Sequence, residues 1–546
     1  PYDTFKEWYQ NDIQSFIDYN VIDVELVDKL EDRLQLIELA LTMAYHAKAN
    51  YEDVFSQVRM WDTIIFNELL KDNIVVPMRK VGRIEAKELV GAYVKEPKTG
   101  FHEWVVSFDL NSLYPHLIMQ YNISPETILE GQKDITIDKL ISKEIDTTDG
   151  HCLAANGTMY KSDKQGMLPR IIQKEYNART IFKKKMLEAE QMYANTKDKK
   201  YEKLARKYYI VQHSKKISLN SAYGAIGNKY FRYYDHRQAE AITMSGQLNI
   251  KWIEKKLNEY FNKLYNTKDD YIIASDTDSV YINMAPLVKM TGATDKVKIV
   301  KALDKFCKEK VEPYIATVYK ELADYMNVYQ QKMEMAREVI ADRGIWTAKK
   351  RYILNVHNSE GVQYPEPKLK IMGIEAVKTS TPLPCRDKLK ESFKILMNGN
   401  EKEMKEFCVN FRREFELLPP EDIGFPRSVN NVEKYSDTTS IYKKGTPMHV
   451  KGALLYNHLL KTKKVSHKHQ TIYEGDKGKF VHLRKNPWNA NVITFIGSLP
   501  TEFDMHKLID YEQQFTKSFM DPLRFILEAI NWKVDASDSN TIEDFF

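Results

Sequence analysis

Residues 271–284 read YIIASDTDSVYINM, in which Asp276 and Asp278 bracket a single threonine. Tyr271, Ile272 and Ile273 precede the acids and Val280, Tyr281 and Ile282 follow. These residue types suit half-buried strands, so the segment predicts a β-hairpin carrying both carboxylates at its tip. Carboxylates held close on a stiff hairpin suit a hard cation. Asp also favours turns for local hydrogen-bonding reasons, which leaves a purely structural reading open for this segment alone.

A third acid, Asp109, ends a predicted strand running through Trp104, Val105, Val106, Ser107 and Phe108, and a helix is expected from Tyr114 to Gln120 with Pro115 in its first turn. Strand-end carboxylates from distant segments can converge on a pair of metal ions about 3.5 to 4 Å apart, which activate an attacking hydroxyl and stabilise a leaving pyrophosphate. Capping of the following helix is the alternative role for Asp109. In KKISLNSAYGAIGN, Lys216, Asn220 and Tyr223 stand at i, i+4 and i+7 on one helix stripe, with Gly224 and Gly227 allowing close backbone approach. Arg179 and Lys183 form a second cationic stripe. Facing one another, the two stripes would grip a triphosphate, Arg by its bidentate fork and Lys as a point charge.

The elements that must position these groups are those of an α+β protein of several subdomains, since 546 residues exceed what one core organises. Residues 19–49 have an apolar period of three to four, predicting a helix packed on a core. Residues 167–194 and 199–226 predict two long, lysine-rich helices folded back on one another. From about residue 376 onward the pattern is mainly helical, interrupted by a basic, aromatic stretch at 435–456. Cys152, Cys307, Cys385 and Cys408 have no CxxC spacing, which argues against a zinc site or disulfide framework, and no apolar run approaches a membrane span. The expected setting is a reducing, intracellular one without membrane association. The net charge of +5 is modest, so the clustering of lysines with interleaved tyrosines is what points to a polyanion with stackable bases.

SFDLNSLYPHLIMQYNISPET (107–127), KKISLNSAYGAIGN (215–228) and ASDTDSVY (274–281) resemble, in order, the three polymerase motifs of family B DNA polymerases. KKRY (349–352), KLKIMGIEAVKTSTP (368–382) and KGTPMHVKGALLYNHLL (444–460) extend the likeness to replicative members from T4-like bacteriophages. The resemblance implies a right-hand architecture with an antiparallel β palm, helical-hairpin fingers and a mainly helical thumb. Its boundaries would be an exonuclease remnant at 1–37, an amino-terminal-domain remnant at 38–82, palm at 83–166 and 228–375, fingers at 167–227 and thumb at 376–546. It implies template-directed addition of deoxynucleotides to a primer 3′ end in the cytoplasm of an infected bacterium. Two Mg2+ ions, replaceable by Mn2+, would lie on Asp109 and Asp278, with Asp276 supporting and Glu338 peripheral. Tyr114 would lie beneath the incoming sugar and exclude a ribose 2′-hydroxyl. Backbone groups of Ser112 and Leu113, with Arg179, Lys183, Lys216 and Asn220, would hold the triphosphate, and Tyr223 and Gly224 would pack against the nascent pair. Lys349, Lys350, Arg351 and Tyr352 would hold the primer strand, and Lys443, Lys444, His449 and Lys451 the duplex farther back. Lys461, Lys463 and Lys464 fit equally a solvated face.

Three departures from the family pattern stand out. Ser275 occupies a position usually held by glycine, and the fingers are short. YNVID, with Tyr19 and Asp23, resembles only the last of three exonuclease motifs. The chain is therefore expected to lack 3′→5′ exonuclease activity alone, either as one half of a split polymerase whose partner subunit supplies the missing acids or as a trimmed form. SNTIEDFF at the carboxyl terminus resembles clamp-docking peptides, with Ile542, Phe545 and Phe546 entering an apolar groove. Competing readings are a reverse transcriptase, a DNA-binding scaffold with an inactive palm, and a two-metal nuclease. The intact acids and the triphosphate stripes weigh against the last two.

Overall fold

The computed structural model describes residues 5–79, 88–437 and 440–534. Helices α1 (Phe5–Asn11), α2 (Ile13–Leu34), α3 (Leu36–Ala47) and α4 (Gln57–Lys71) open the chain, followed by strand β1 (Gly100–Leu110) and helices α5 (Leu113–Gln120) and α6 (Ile137–Ile141). A two-residue ladder of β2 (Cys152–Leu153) and β3 (Met159–Tyr160) leads into the long helices α7 (Met167–Thr196), α8 (Lys199–Ile226) and α9 (His236–Tyr265). Strands β4 (Ile272–Asp276), β5 (Ser279–Asn283), β6 (Met335–Ala348), β7 (Arg351–Ser359) and β8 (Val362–Met372) complete the central sheet.

That sheet has the order β4-β5-β1-β6-β7-β8, antiparallel throughout. Its central strand, β1, is buried on both sides along its inner half. Val106, Phe108 and Leu110 join the core formed with α5 and α9, whereas Val105 packs with Ile273, Tyr281, Trp346 and Tyr352 in a second cluster. The predicted hairpin over 271–284 and the helix pair over 167–226 form as expected. Asp198 caps α8 by accepting from the Lys200 amide at 2.9 Å. The 30-residue helix α9, by contrast, was not foreseen, although Ile242, Leu248, Trp252, Ile253 and Leu257 bury one face of it.

Two expectations fail. The apolar stripe predicted to pack α2 on a core is exposed instead, Val24 at 60% and Val27 at 63%, and α2 buries no residue; periodicity reports an apolar face but not what covers it. Trp61 and Ile65, in turn, find their cover within the chain. Trp61 is 1% exposed and its indole donates to the Ser218 carbonyl and Ser221 Oγ, both at 3.1 Å, fastening α4 to α8. The carboxyl-terminal region also holds more strand than predicted. Phe425–Ser428, Lys477–His482 and Val492–Phe495 form a three-stranded antiparallel sheet against the helix Met448–Thr462.

Candidate active site

Main-chain bonding brings the acids together. Asp109 pairs in register with Ser279, and the Leu110 amide donates to the Asp278 carbonyl at 2.8 Å, so the end of β1 is fastened to the β4–β5 turn. Thr277 turns the chain with φ of 59°, and its amide donates to the Tyr93 carbonyl at 3.0 Å, bracing the turn from its outer edge. The β1–β6 register shifts between Ser107 and Phe108, which face Val339 and Arg337, so Glu338 is the extra residue of a bulge on β6 beside Asp109.

The four acids divide into two kinds. Glu338 accepts from Lys370 Nζ at 2.7 Å and from Ser107 Oγ at 3.2 Å, and Asp276 accepts from Lys350 Nζ at 3.1 Å and Thr277 Oγ1 at 2.9 Å. Among the described residues, neither Asp109 nor Asp278 forms an ion pair with a lysine or arginine, and their pKa values are raised. Burial, then the charges of Asp278 and Glu338, push the Asp109 carboxyl up to about 7. Burial, reinforced by Asp276 and Glu338 and opposed by a backbone amide and Lys350, pushes Asp278 up to about 6. Partly buried oxygen donors that resist joint ionisation suit a divalent hard cation. Among the described residues, however, no three His, Cys, Asp or Glu side chains are gathered around one point. The sequence placed Asp276 in the metal set, whereas its carboxylate here is turned to Lys350.

The raised pKa of Asp109 gives a signed expectation. A folded value above the unfolded one means that the destabilising charge is fully present above pH 7 and fades as pH falls from about 7 toward 4. In chelator, Asp109→Asn should therefore raise Tm by about 1–3 °C at pH 8, with the difference shrinking at pH 5. Scanning calorimetry of the pair at both pH values checks this, and taking the difference cancels the buried histidines, which titrate with the opposite sign. Asp342 does not enter that window: held by His357, Lys296 and Asn355 against its own burial, it titrates near 2.

On the helical side, Ser112 adopts φ of 50°, and Arg179 Nη1 donates to its hydroxyl at 3.3 Å. Lys183, Lys216 and Asn220 are exposed on α7 and α8. His213, unnoticed in the sequence, reports the field between them: burial, then Lys216 and Arg179, hold its pKa down. Tyr114 lies with its ring 4.7 Å from that of Tyr223, and burial, Tyr223 and Asp278 raise its hydroxyl pKa to about 12. The ring therefore sits between α8 and the acid turn. Leu113 is buried beneath it. A Cβ on Gly224 would meet the end of the flexible Gln57 side chain from α4.

KKRY is engaged within the protein. Lys349 pairs with Glu96 at 3.1 Å, Lys350 with Asp276, and Arg351 with both oxygens of Glu375 at 3.1 and 2.7 Å. Tyr352 is buried, its hydroxyl 2.7 Å from that of Tyr281. Beside this turn lies a cleft of about 620 Å3, where Arg351, Lys378, Arg427 and Lys517 outnumber Glu375 and Asp521. Lys443 and Lys444 are exposed, Lys451 Nζ lies 5.6 Å from the Tyr442 ring, and burial and Arg427 lower the His449 pKa. Lys461, Lys463 and Lys464 are exposed. Tyr19 and Asp23 stand exposed on α2, and Ile542, Phe545 and Phe546 lie outside the described residues. No helix among the described residues is long and apolar enough to cross a membrane.

The profile of DNA polymerase family B matches residues 55–486. The chain belongs to DNA polymerase family B. The mixed helical and antiparallel-sheet fold is that of family B. The chain is 35% identical to the DNA-directed DNA polymerase of Enterobacteria phage T4 over 97% of its own length and 65% of the relative's. To the DNA-directed DNA polymerase of Escherichia phage RB69 it is 34% identical, over 98% of itself and 65% of the relative. DNA polymerase 1 of Aeropyrum pernix is 24% identical over 82% of the chain and 42% of that protein. The chain thus spans about 65% of the length of its two phage relatives. Family motifs account for Asp109, Asp278 and Lys216; Lys370 lay unremarked inside KLKIMG, where only its pairing with Glu338 singles it out.

Proposed function

We propose that this chain catalyses template-directed addition of deoxynucleotides to a primer 3′ end during phage DNA replication, in the cytoplasm of an infected bacterium. The observation that carries the proposal is the fastening of Asp109 and Asp278, two partly buried acids of raised pKa, opposite a helical hairpin bearing Arg179, Lys183, Lys216 and Asn220. On this reading the antiparallel sheet is the palm, α7 and α8 the fingers, and residues 376–546 the thumb. Two bound Mg2+ ions, or Mn2+ in their place, would activate the 3′-hydroxyl and neutralise the leaving pyrophosphate. Asp109 and Asp278 would hold them.

The protein's own part is positioning and charge stabilisation. Arg179 exchanges the Ser112 hydroxyl for triphosphate oxygens, and Lys183, Lys216 and Asn220 close on the same group. Tyr114 and Tyr223 form an aromatic floor beneath the sugar and base. Lys350 and Lys349, released from Asp276 and Glu96, turn to primer phosphates, and the cationic cleft continues the duplex path without reading sequence. Arg351 keeps its fork on Glu375 and fixes the turn that carries those lysines.

Lys443 and Lys444, with His449 and Lys451 behind them, would meet backbone phosphates. The double Lys443→Ala, Lys444→Ala variant should weaken binding to primed DNA equally across sequences and flatten the slope of log K against log salt by about 1 to 2. Fluorescence anisotropy between 50 and 200 mM salt measures the slope. The carboxyl-terminal Ile542, Phe545 and Phe546 are proposed to dock on a sliding clamp, tested by a clamp pulldown with the last seven residues deleted.

The test of the proposal is primer extension by the purified chain on primed DNA with Mg2+ and four deoxynucleotides. Extension abolished by chelator supports it. A chain that binds primed DNA tightly and never extends it would be the inactive scaffold, and preferential copying of an RNA template would favour the reverse-transcriptase reading.

A further inference from the structure

α9 passes behind the turn between β1 and α5, with Gly246 facing that turn. A Cβ placed on Gly246 would lie 3.5 Å from Leu113 Cδ2, 3.5 Å from Leu117 Cδ1 and 3.6 Å from Tyr114 Cε1. Such a methyl would make ordinary contact with all three, whereas each further carbon reaches about 1.5 Å deeper into them.

Something must then move, and the packing decides what. α9 is pinned on both sides of Gly246: Ser245 Oγ accepts from the Ala155 amide at 3.1 Å, and the Trp252 indole donates to the Val318 carbonyl at 2.9 Å. Leu113 and Leu117 are buried, at 4% and 0% exposure, with no open side to enter. Tyr114 alone of the three is partly exposed. Its ring touches the Gly246 position at Cε1 and packs on the Tyr223 ring at 4.7 Å, so bulk added at Gly246 is relieved only toward the exposed side of the Tyr114 ring.

We propose that Gly246 is a specificity-determining position that sets how far the Tyr114 ring projects into the sugar site, and so the room left for the incoming nucleotide. The inference rests on the reading of Tyr114 as the residue beneath the sugar. Gly246 acts through Tyr114 and touches no substrate, which makes it a positioning residue. It was not singled out by any motif, since a helical glycine in MSGQL has no spacing signal.

The test is a steady-state series on primed DNA comparing the wild type, Gly246→Ala, Gly246→Val, Tyr114→Val and the Gly246→Val, Tyr114→Val double variant, with deoxy- and ribonucleotides. The expected result is a rise in deoxynucleotide KM graded with bulk, about two-fold for alanine and roughly ten-fold for valine, while the Kd for primed DNA stays within two-fold. The double variant should have the KM of Tyr114→Val alone, because the side chain that transmits the push is gone. A valine penalty that persists undiminished in the double variant, or no graded rise, would overturn the inference. Failure of Tyr114→Val to admit ribonucleotides would instead overturn the underlying reading of Tyr114. If Gly246→Val does not fold by its thermal transition, Gly246→Ser takes its place, with an intermediate KM expected and a wild-type KM contradicting the proposal.

Discussion

Asp278→Asn should lower the rate of primer extension by about 10³-fold or more while leaving the fold intact. The substitution is nearly isosteric, and the structure explains why the main chain should not respond: Asp278 is tied to β1 through its carbonyl, which accepts from the Leu110 amide, not through its carboxylate. What the variant loses is one of the two partly buried negative charges that are proposed to hold divalent cations. The neighbouring Asp276→Asn variant separates charge from place. Asp276 shares its charge with Lys350, so its amide form should lose activity less severely than Asp278→Asn. Single-turnover incorporation measured beside the thermal transition distinguishes lost chemistry from lost structure. Equal losses for the two variants would contradict the division of the acids described above.

Tyr114→Val should reduce discrimination against ribonucleotides by roughly 10- to 200-fold, the range that steric contact with a small group supplies. The aromatic ring is held from behind by α9 and from the side by Tyr223, so the wild-type wall does not yield to a 2′-hydroxyl. Valine withdraws the wall but keeps a branched side chain over Leu113, and deoxynucleotide efficiency should fall by less than about ten-fold. The ratio of kcat/KM values for a matched deoxy- and ribonucleotide on one template reads the effect. An unchanged ratio would show that sugar selection lies elsewhere.

The parts of this fold legible in the sequence are those fixed by local pattern. Alternation around a turn gave the β4–β5 hairpin, and lysine-rich helical stretches separated by ANTKDKK gave α7 and α8 almost to their ends. What could not be read was partnership. The apolar residues of α2 have the same periodicity as those of a core helix, yet they remain exposed, while Trp61 in a less regular segment is buried under α8. The same limit applies at the site. Asp276 and Glu338 look like further members of an acid set, but each meets a lysine, Lys350 or Lys370, that arrives from a different strand pairing. Gly224 was read as a nucleotide-facing glycine, and only the packing of α4 reveals Gln57 against it. Ser275, the departure from the family's usual glycine, is buried at 1% exposure next to the turn.

Counting manganese ions by electron paramagnetic resonance in the complex of the chain with primed DNA and a non-incorporable deoxynucleotide tests most directly whether Asp109 and Asp278 form the metal centre. Two Mn2+ ions per complex in the wild type, and at most one in the Asp109→Asn, Asp278→Asn double variant, is the predicted result. Retention of both ions by the double variant, with DNA and nucleotide still bound, would contradict it and place the chemistry away from the β4–β5 turn.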